Sequence, residues 1–402
     1  MKKTVAFSVG FAALGYFVDL YDIVLFGVVR VKSLTELGLT GADNTSWGIA
    51  LLNLQMIGML VGGVLWGIVG DKLGRRVALL STIGLYSLAN IANGFIDSPQ
   101  QYAVLRFIAG VGLAGELGMG VTLVAELMPA KFRGYGTTVI SFLGLVGALT
   151  ASYVGVMFEW RTAYIVGGVM GLAVMAGRWY GLRESDLYSV RKAAGAHAGD
   201  ITLLLRSAPR LRKFFAVIAV GVPIWYVSAL FVNLAPEYGK ALALTEPLTV
   251  AQALRWQALG LALGSALTGL ASEWLGTRKR VIQACLVLLM ILLAALLTRE
   301  GASVSTYCAL MFAIGLAQGY WTVFVTTAAE QFGTDIRATV ATSVPNFVRA
   351  TIVPVTLTLT AIWPATGLIP GTLLIGLVVF GLAFLGLTAL QETYGKNLDY
   401  VE

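Results

Sequence analysis

Long apolar runs separated by short polar breaks occupy almost the entire chain. They fall at about 5–30, 46–70, 76–96, 101–127, 137–158, 162–182, 213–236, 250–275, 280–298, 303–329, 338–362 and 367–391. Each has about 20 residues or more, enough to carry an α-helix across a hydrocarbon layer about 30 Å thick. A helix also closes its own backbone hydrogen bonds where no water can do so. One polar stretch, Arg183 to Arg212, is much longer than the others and divides the runs six and six. The pattern predicts an all-α membrane protein of twelve transmembrane helices in two pseudo-symmetric six-helix halves. These are an N-terminal bundle over 1–182, a cytoplasmic linker over 183–212 and a C-terminal bundle over 213–402. The opening MKKTVAFSVGFAALGYF has the charged and apolar regions of a signal peptide, but its apolar run continues to Gly27 without a cleavage site. It therefore reads as the first span.

Composition and charge sharpen this picture. A soluble globular chain is about 25% charged, whereas this one is 12% charged and 57% apolar. The formal charge of +7 would suggest nucleic-acid binding in a soluble protein. Topology accounts for it here. Twenty of the 28 Lys and Arg, including Lys72, Arg75, Arg76, Lys131, Arg133 and Arg178, fall on the same side of the expected spans as both termini. Basic residues stay on the cytoplasmic side, so both termini are expected in the cytoplasm and nucleic acid drops out as a partner. The expected location is a bacterial cytoplasmic (inner) membrane. Cys285 and Cys308 lie in apolar runs and the lone His197 lies in the linker, giving no disulfide framework, metal-ligand spacing or cofactor site.

An internal repeat supports the division. Gly67-x-x-x-Asp71-x-x-Gly74-x-Arg76 follows the second run, and Gly269-x-x-x-Glu273-x-x-Gly276-x-Arg278 follows the eighth, offset by 202. Glu126 and Arg133 follow the fourth run, with Glu330 and Arg337 after the tenth, offset by 204. Repeated halves of this kind place a substrate site between them, near the bilayer midplane.

The segment Gly67-Ile-Val-Gly70-Asp71-Lys72-Leu73-Gly74-Arg75-Arg76 resembles the signature loop of the major facilitator superfamily. Arg106-x-x-x-Gly110-x-Gly112 resembles that family's fourth-span motif. The resemblance implies a charged latch at the cytoplasmic mouth, with Asp71 and Arg133 holding an outward-open state. Arg75, Arg76 and Glu126 belong to that latch, as do Glu273, Arg278, Glu330 and Arg337 in the second half. The second copy has Thr277 in place of one basic residue, which implies a weaker or different latch. Gly15-x-x-x-Asp19-x-Tyr21-Asp22 and Gly115-Glu116-Leu117-Gly118 are similar to elements of the metabolite:proton symporters. Those proteins carry organic acids and zwitterions. The departures are Asp19 for a glutamate, Leu117 for an aromatic and Ala114 for a glycine.

Four ionisable residues fall at mid-membrane depth: Asp19, Asp22, Glu116 and Arg349. A charge at that depth is costly and marks a functional site. Asp19 and Asp22 share a helical face at i, i+3. The functional reading is a proton site, with Asp22 first, then Glu116 and Asp19. The structural alternative is a fixed ion pair of Glu116 or Asp19 with Arg106. Arg349, close to the helix-kinking Pro354, suits a substrate carboxylate through paired hydrogen bonds, or else a bridge to one of the buried acids. Tyr21, Gln55, Trp225, Tyr226, Gln318, Trp321 and Asn346 are the candidates to complete the cavity.

The leading expectation is a monomeric secondary active transporter using alternating access. It would import a small organic anion or zwitterion together with protons. The alternatives are a proton-coupled exporter of a metabolite or siderophore, or a uniporter. The fifth run has no proline, unlike the glycine-rich element of the drug antiporters. An intramembrane enzyme is disfavoured because no HExxH, GxSxG or intramembrane histidine is present.

Overall fold

The computed structural model describes residues 3–116, 118–120, 133–181, 207–332 and 337–395. They divide into two compact units, Met1–Asp200 and Ile201–Glu402. The first contains α1 (Lys3–Glu36), α2 (Gly41–Leu73), α3 (Arg75–Asn93), α4 (Pro99–Leu113), α5 (Arg133–Met157) and α6 (Trp160–Gly181). The second contains α7 (Ala208–Val227), a π-helical turn (Ser228–Val232), α8 (Ala235–Ala241), α9 (Val250–Leu275) and α10 (Lys279–Leu297). It continues with α11 (Val304–Gln318), α12 (Trp321–Glu330), α13 (Arg337–Ala350), α14 (Ile352–Thr366) and α15 (Leu368–Ala389). Most of the expected linker lies outside the described residues, but 208–212 form the first turn of α7.

Nine helical stretches among the described residues, some joining two of these elements, are long and apolar enough to cross a membrane by length and composition alone. The third expected span falls below that standard because α3 carries Thr82, Ser87, Asn90 and Asn93, all buried. The surface is the reverse of a soluble protein's. Leu88, Val104, Leu270 and Leu377 are exposed, while Arg106, Arg178, Gln257 and Thr372 are buried. In lipid, apolar groups gain nothing by leaving the surface, so helices meet through small residues and polar contacts.

The sequence repeat is a repeat of packing. In the first unit, Gly58 and Gly62 of α2 back onto the carbonyls of Phe107 and Val111 of α4, and Gly110 onto that of Gln55. In the second, Gly260 and Gly264 of α9 back onto the carbonyls of Phe312 and Leu316 of α11, and Gly315 onto that of Gln257. A Cβ at any of these six positions would collide with backbone.

The helices of the second unit are interrupted where the sequence removes or crowds backbone donors. Pro354 has no N–H to continue the ladder, and α13 gives way to α14 at Thr351, whose hydroxyl donates to the Val348 carbonyl at 2.6 Å. The tenth span breaks at Gly319–Tyr320. There Gly319 lies against the Gly264 backbone, and its carbonyl accepts from the Thr268 hydroxyl at 2.8 Å. After Pro223, α7 widens into the π-helical turn. Turns of this kind are frequent at functional sites.

Candidate functional site

In the first unit, α1 and α4 bring Asp22 and Arg106 together, both fully buried. Arg106 Nη2 donates to Oδ1 and Oδ2 of Asp22, at 3.0 Å each. Gln55 on α2 approaches the same carboxylate at 3.5 Å. On its other side Arg106 Nη1 donates to the Tyr164 hydroxyl at 3.3 Å. The guanidinium lies over the rings of Phe26 and Tyr164, with its carbon 5.7 and 5.2 Å from the centroids. Tyr164 and Tyr102 share a hydrogen bond of 2.7 Å, and Tyr102 contacts the Ser33 hydroxyl at 3.5 Å. Arg106 Nε has no hydrogen-bond partner among the described residues.

A second buried ion pair in the same bundle differs in kind. Arg178 on α6 meets Glu116 with two parallel bonds, Nη1 to Oε1 at 2.9 Å and Nη2 to Oε2 at 2.7 Å. Its remaining hydrogens go to the Phe11 carbonyl, from Nε at 3.2 Å and Nη2 at 3.1 Å, and to the Leu79 carbonyl at 3.2 Å. All five donors of the fork are used. Glu116 also accepts from Thr82 at 2.9 Å. This pair ties α1, α3 and α6 to the chain beyond α4. Gly15 of α1 lies directly beneath it, where a side chain would overlap both partners. Arg178, counted in the sequence among the basic residues of the cytoplasmic side, is fully buried, with its charge spent on this pair. The ion-pair reading had offered Arg106 to Glu116, but Glu116 is held by Arg178 and Arg106 by Asp22. Asp19, one turn from Asp22, is also buried. Tyr21 is fully buried and donates to the Ala163 carbonyl at 2.8 Å, tying α1 to α6.

In the second unit Arg349 of α13 is buried at 1% exposure, with its guanidinium 5.5 Å from the Trp225 ring centroid. Arg349 Nε and Nη1 and Trp225 Nε1 are buried without hydrogen-bond partners among the described residues. Three donors from α13 and α7 are thus unused beside an aromatic face. Asn346, one turn before Arg349, is buried as well. Gln318 bridges two helices, donating to the Ile224 carbonyl at 2.9 Å and accepting from Gln257 at 2.8 Å. Gln257 also donates to Ser228, at the start of the π-helical turn, at 3.2 Å. Tyr226 donates to the Thr372 carbonyl at 2.9 Å and so faces α15. Trp321 is half-buried against Phe324, with centroids 5.4 Å apart.

The second copy of the signature loop is a closed network. Arg278 Nε lies 2.7 Å from Glu330 and its Nη1 lies 3.9 Å from Glu273. Thr277, the residue replacing a base, donates to Glu392 at 2.5 Å. Glu392 also accepts from the backbone N–H groups of Arg278, Lys279, Thr393 and Tyr394 at 2.9–3.2 Å. The chain beyond α15 is thereby fastened to the loop between α9 and α10. Partial burial disfavours the Glu392 carboxylate, but these hydrogen bonds outweigh burial and bring its pKa down to about 2. In the first copy Gly74 adopts φ 102° between α2 and α3, a conformation open to glycine, while Gly67 has open space around it. Arg76 donates to the Trp179 carbonyl at 2.7 Å. Glu126 and the side chains of Asp71, Arg75, Arg133 and Arg337 lie outside what is described.

Sequence reasoning missed Arg178, Tyr102, Tyr164, Gln257 and Glu392. A signal existed for two of them. Gln257 lies at the repeat offset of 202 from Gln55, and Arg178 stands within an apolar run that also needs an acid's partner.

Comparison with known proteins agrees with this architecture. A family model for the Major Facilitator Superfamily matches residues 12–350. A niacin transporter from Acinetobacter baylyi is 33% identical over 40% of this chain and 37% of its own. A benzoate transport protein from the same organism is 28% identical over 43% and 38%. A gentisate transporter from Corynebacterium glutamicum is 25% identical over 65% and 59%. The chain thus spans about two-fifths to three-fifths of these relatives. Among solved structures, a D-xylose-proton symporter superposes with TM-score 0.73 over 98% of this chain and all of that one, at 19% identity. The inward-open xylose transporter from E. coli gives 0.71 over 97% of both chains, at 17%. These two show the fold.

Proposed function

For a chain that belongs to the Major Facilitator Superfamily, and is a multi-pass membrane transporter rather than an enzyme, we propose proton-coupled import of an aromatic monocarboxylate. The carrying observation is the contrast between the two buried ion pairs of the first unit. Glu116–Arg178 is saturated, and adding a proton to Glu116 would disturb three organised bonds, two from Arg178 and one from Thr82. Asp22–Arg106 is not saturated, since Arg106 has an unused Nε and a second set of partners behind it. A carboxylate in such a pair can accept a proton without dismantling the bundle. Asp22 is therefore the proton carrier and Glu116 a fixed tie, with Asp19 beside them.

The substrate class follows from Arg349 and Trp225 together with the relatives' names. Niacin, benzoate, gallate and gentisate are all planar aromatic carboxylates. Arg349 Nε and Nη1, on different edges of the guanidinium, can each give a charge-assisted hydrogen bond to a carboxylate or its neighbours, while Trp225 offers an indole N–H and an apolar flank. The basic residues favour the inner membrane of a bacterium with both termini in the cytoplasm. Coupling requires that proton and substrate favour the same state.

The test uses purified protein in liposomes that enclose a pH-sensitive dye, challenged with benzoate, nicotinate, gallate and xylose. Internal acidification with the aromatic acids, lost in Asp22→Asn and Arg349→Ala, is the expected result. Uptake without proton movement would make the protein a uniporter. Alkalinisation on loading substrate inside would make it an exporter.

A further inference from the structure

The Asp22–Arg106 pair meets a difficulty when a proton arrives. Asp22 becomes neutral, but the guanidinium keeps its charge under all ordinary conditions. Arg106 is then a fully buried cation without its counter-ion, which is strongly unfavourable. The other side of Arg106 is built for that moment. The Tyr164 hydroxyl accepts from Nη1, and the faces of Tyr164 and Phe26 flank the cation. Aromatic faces attract a cation most strongly where water is excluded. The acceptor is itself held in place, because Tyr164 shares its 2.7 Å hydrogen bond with Tyr102, and Trp160 packs against both rings at 6.1 and 6.3 Å.

We propose that Tyr164, oriented by Tyr102, is a positioning residue of the proton step, holding the Arg106 guanidinium while Asp22 is neutral. This rests on the reading of Asp22 as the proton carrier. Loading adds one proton to an Asp22 carboxylate oxygen and breaks no covalent bond. Arg106 keeps all its protons and shifts its hydrogen bonding from Asp22 toward Tyr164, and unloading reverses the shift. The other groups facing the pair do not duplicate this role. Asp19 and Tyr21 lie on α1 itself, and Tyr21 is committed to the Ala163 carbonyl. Tyr86 of α3 lies among Asp19, Asp22, Glu116 and Arg178, and its hydroxyl has no hydrogen-bond partner among the described residues. Glu116 and Arg178 neutralise each other. From α2 comes the amide of Gln55, and Tyr153, the ionisable side chain described on α5, is exposed.

Tyr164→Phe keeps the ring and removes the acceptor. The decisive readout is an infrared pH titration of the purified protein, following the carboxylic-acid carbonyl band that Asp22→Asn abolishes. In Tyr164→Phe the midpoint of that band falls by about one pH unit, a tenfold loss of proton affinity. Tyr102→Phe, whose fault lies one bond further away, gives a smaller shift in the same direction. The pH profile of uptake moves with the band. An unchanged or raised midpoint in both variants overturns the proposal, as does the absence of an Asp22-dependent band in the parent protein. If the band shifts while the uptake profile stays fixed, the positioning role stands and proton symport is the reading that fails.

Discussion

Replacing Gly15 by alanine tests the assignment of Glu116–Arg178 as a structural tie. The added Cβ would overlap Arg178 Nη2 and Glu116 Oε2, and it would stand 2.7 Å from Arg178 Cζ. Neither partner can retreat easily. Arg178 is fixed by two backbone carbonyls, Glu116 is held by Thr82, and both are almost fully buried. Accommodating the methyl therefore separates the pair, and breaking a buried pair costs about 3–5 kcal/mol. Removing a helical glycine returns only about 1 kcal/mol of that. With roughly 2.1 cal/mol/K of unfolding entropy per residue, the net loss lowers the melting temperature by several degrees if the whole chain unfolds cooperatively. Gly10→Ala is the internal control, because nothing lies within 4 Å of a Cβ there. Thermal unfolding in detergent of the two variants and the parent measures the difference. In the fraction of Gly15→Ala that remains folded, the ratio of protons to substrate stays unchanged, since the pair does not carry the proton. A Gly15→Ala protein that melts with the parent would refute the packing argument. One that melts normally but loses proton coupling would move the proton to Glu116.

Further outcomes follow from the other contacts. Asp22→Asn should retain exchange of labelled substrate across the membrane while losing accumulation driven by a pH gradient, measured in the same vesicles. Arg349→Ala should raise KM for an aromatic acid by about 100-fold, the worth of a hydrogen bond between charged groups. Arg349→Lys should recover only part of this, because an ammonium lacks the planar fork. The Glu392 carboxylate has a lower pKa folded than free, from 4.5 to about 2. Its contribution to docking the tail is complete above the ordinary value and fades as pH falls toward 2. Deuterium exchange over 276–280 should therefore rise as the medium is acidified through that window. In Glu392→Gln exchange should be raised at neutral pH and flat across the window.

The spans and the division into halves could be read from the chain because both are one-dimensional properties, apolar run length and a repeat offset. Asp22 and Arg349 could be singled out because charges in apolar runs need a reason. Their partners could not, since pairing depends on rotation about the helix and on which helices adjoin. Arg178 shows the limit. Counted from the end of its run it stands near the boundary, where a long side chain could snorkel outward, and only packing against α1 and α3 turns it inward to Glu116. Thr277 shows another. As a substitution in a motif it looks like decay, yet it gives its hydrogen bond to a carboxylate 115 residues away. Tyr226 was considered together with Trp225, but adjacent residues on a helix point some 100° apart, and Tyr226 meets α15.

The glycine contacts between α2 and α4, and between α9 and α11, also provide two built-in rulers. With carbonyl oxygens seated against glycine Cα atoms, neither pair can slide or splay without losing its seam. Spin labels placed across one seam, for example at positions flanking Gly58 and Phe107, should report a single narrow distance whatever the pH or ligand. The same pair of labels at the corresponding positions across the other seam should do likewise. Any broadening seen elsewhere can then be assigned to motion of the remaining helices against a fixed reference contained in the molecule.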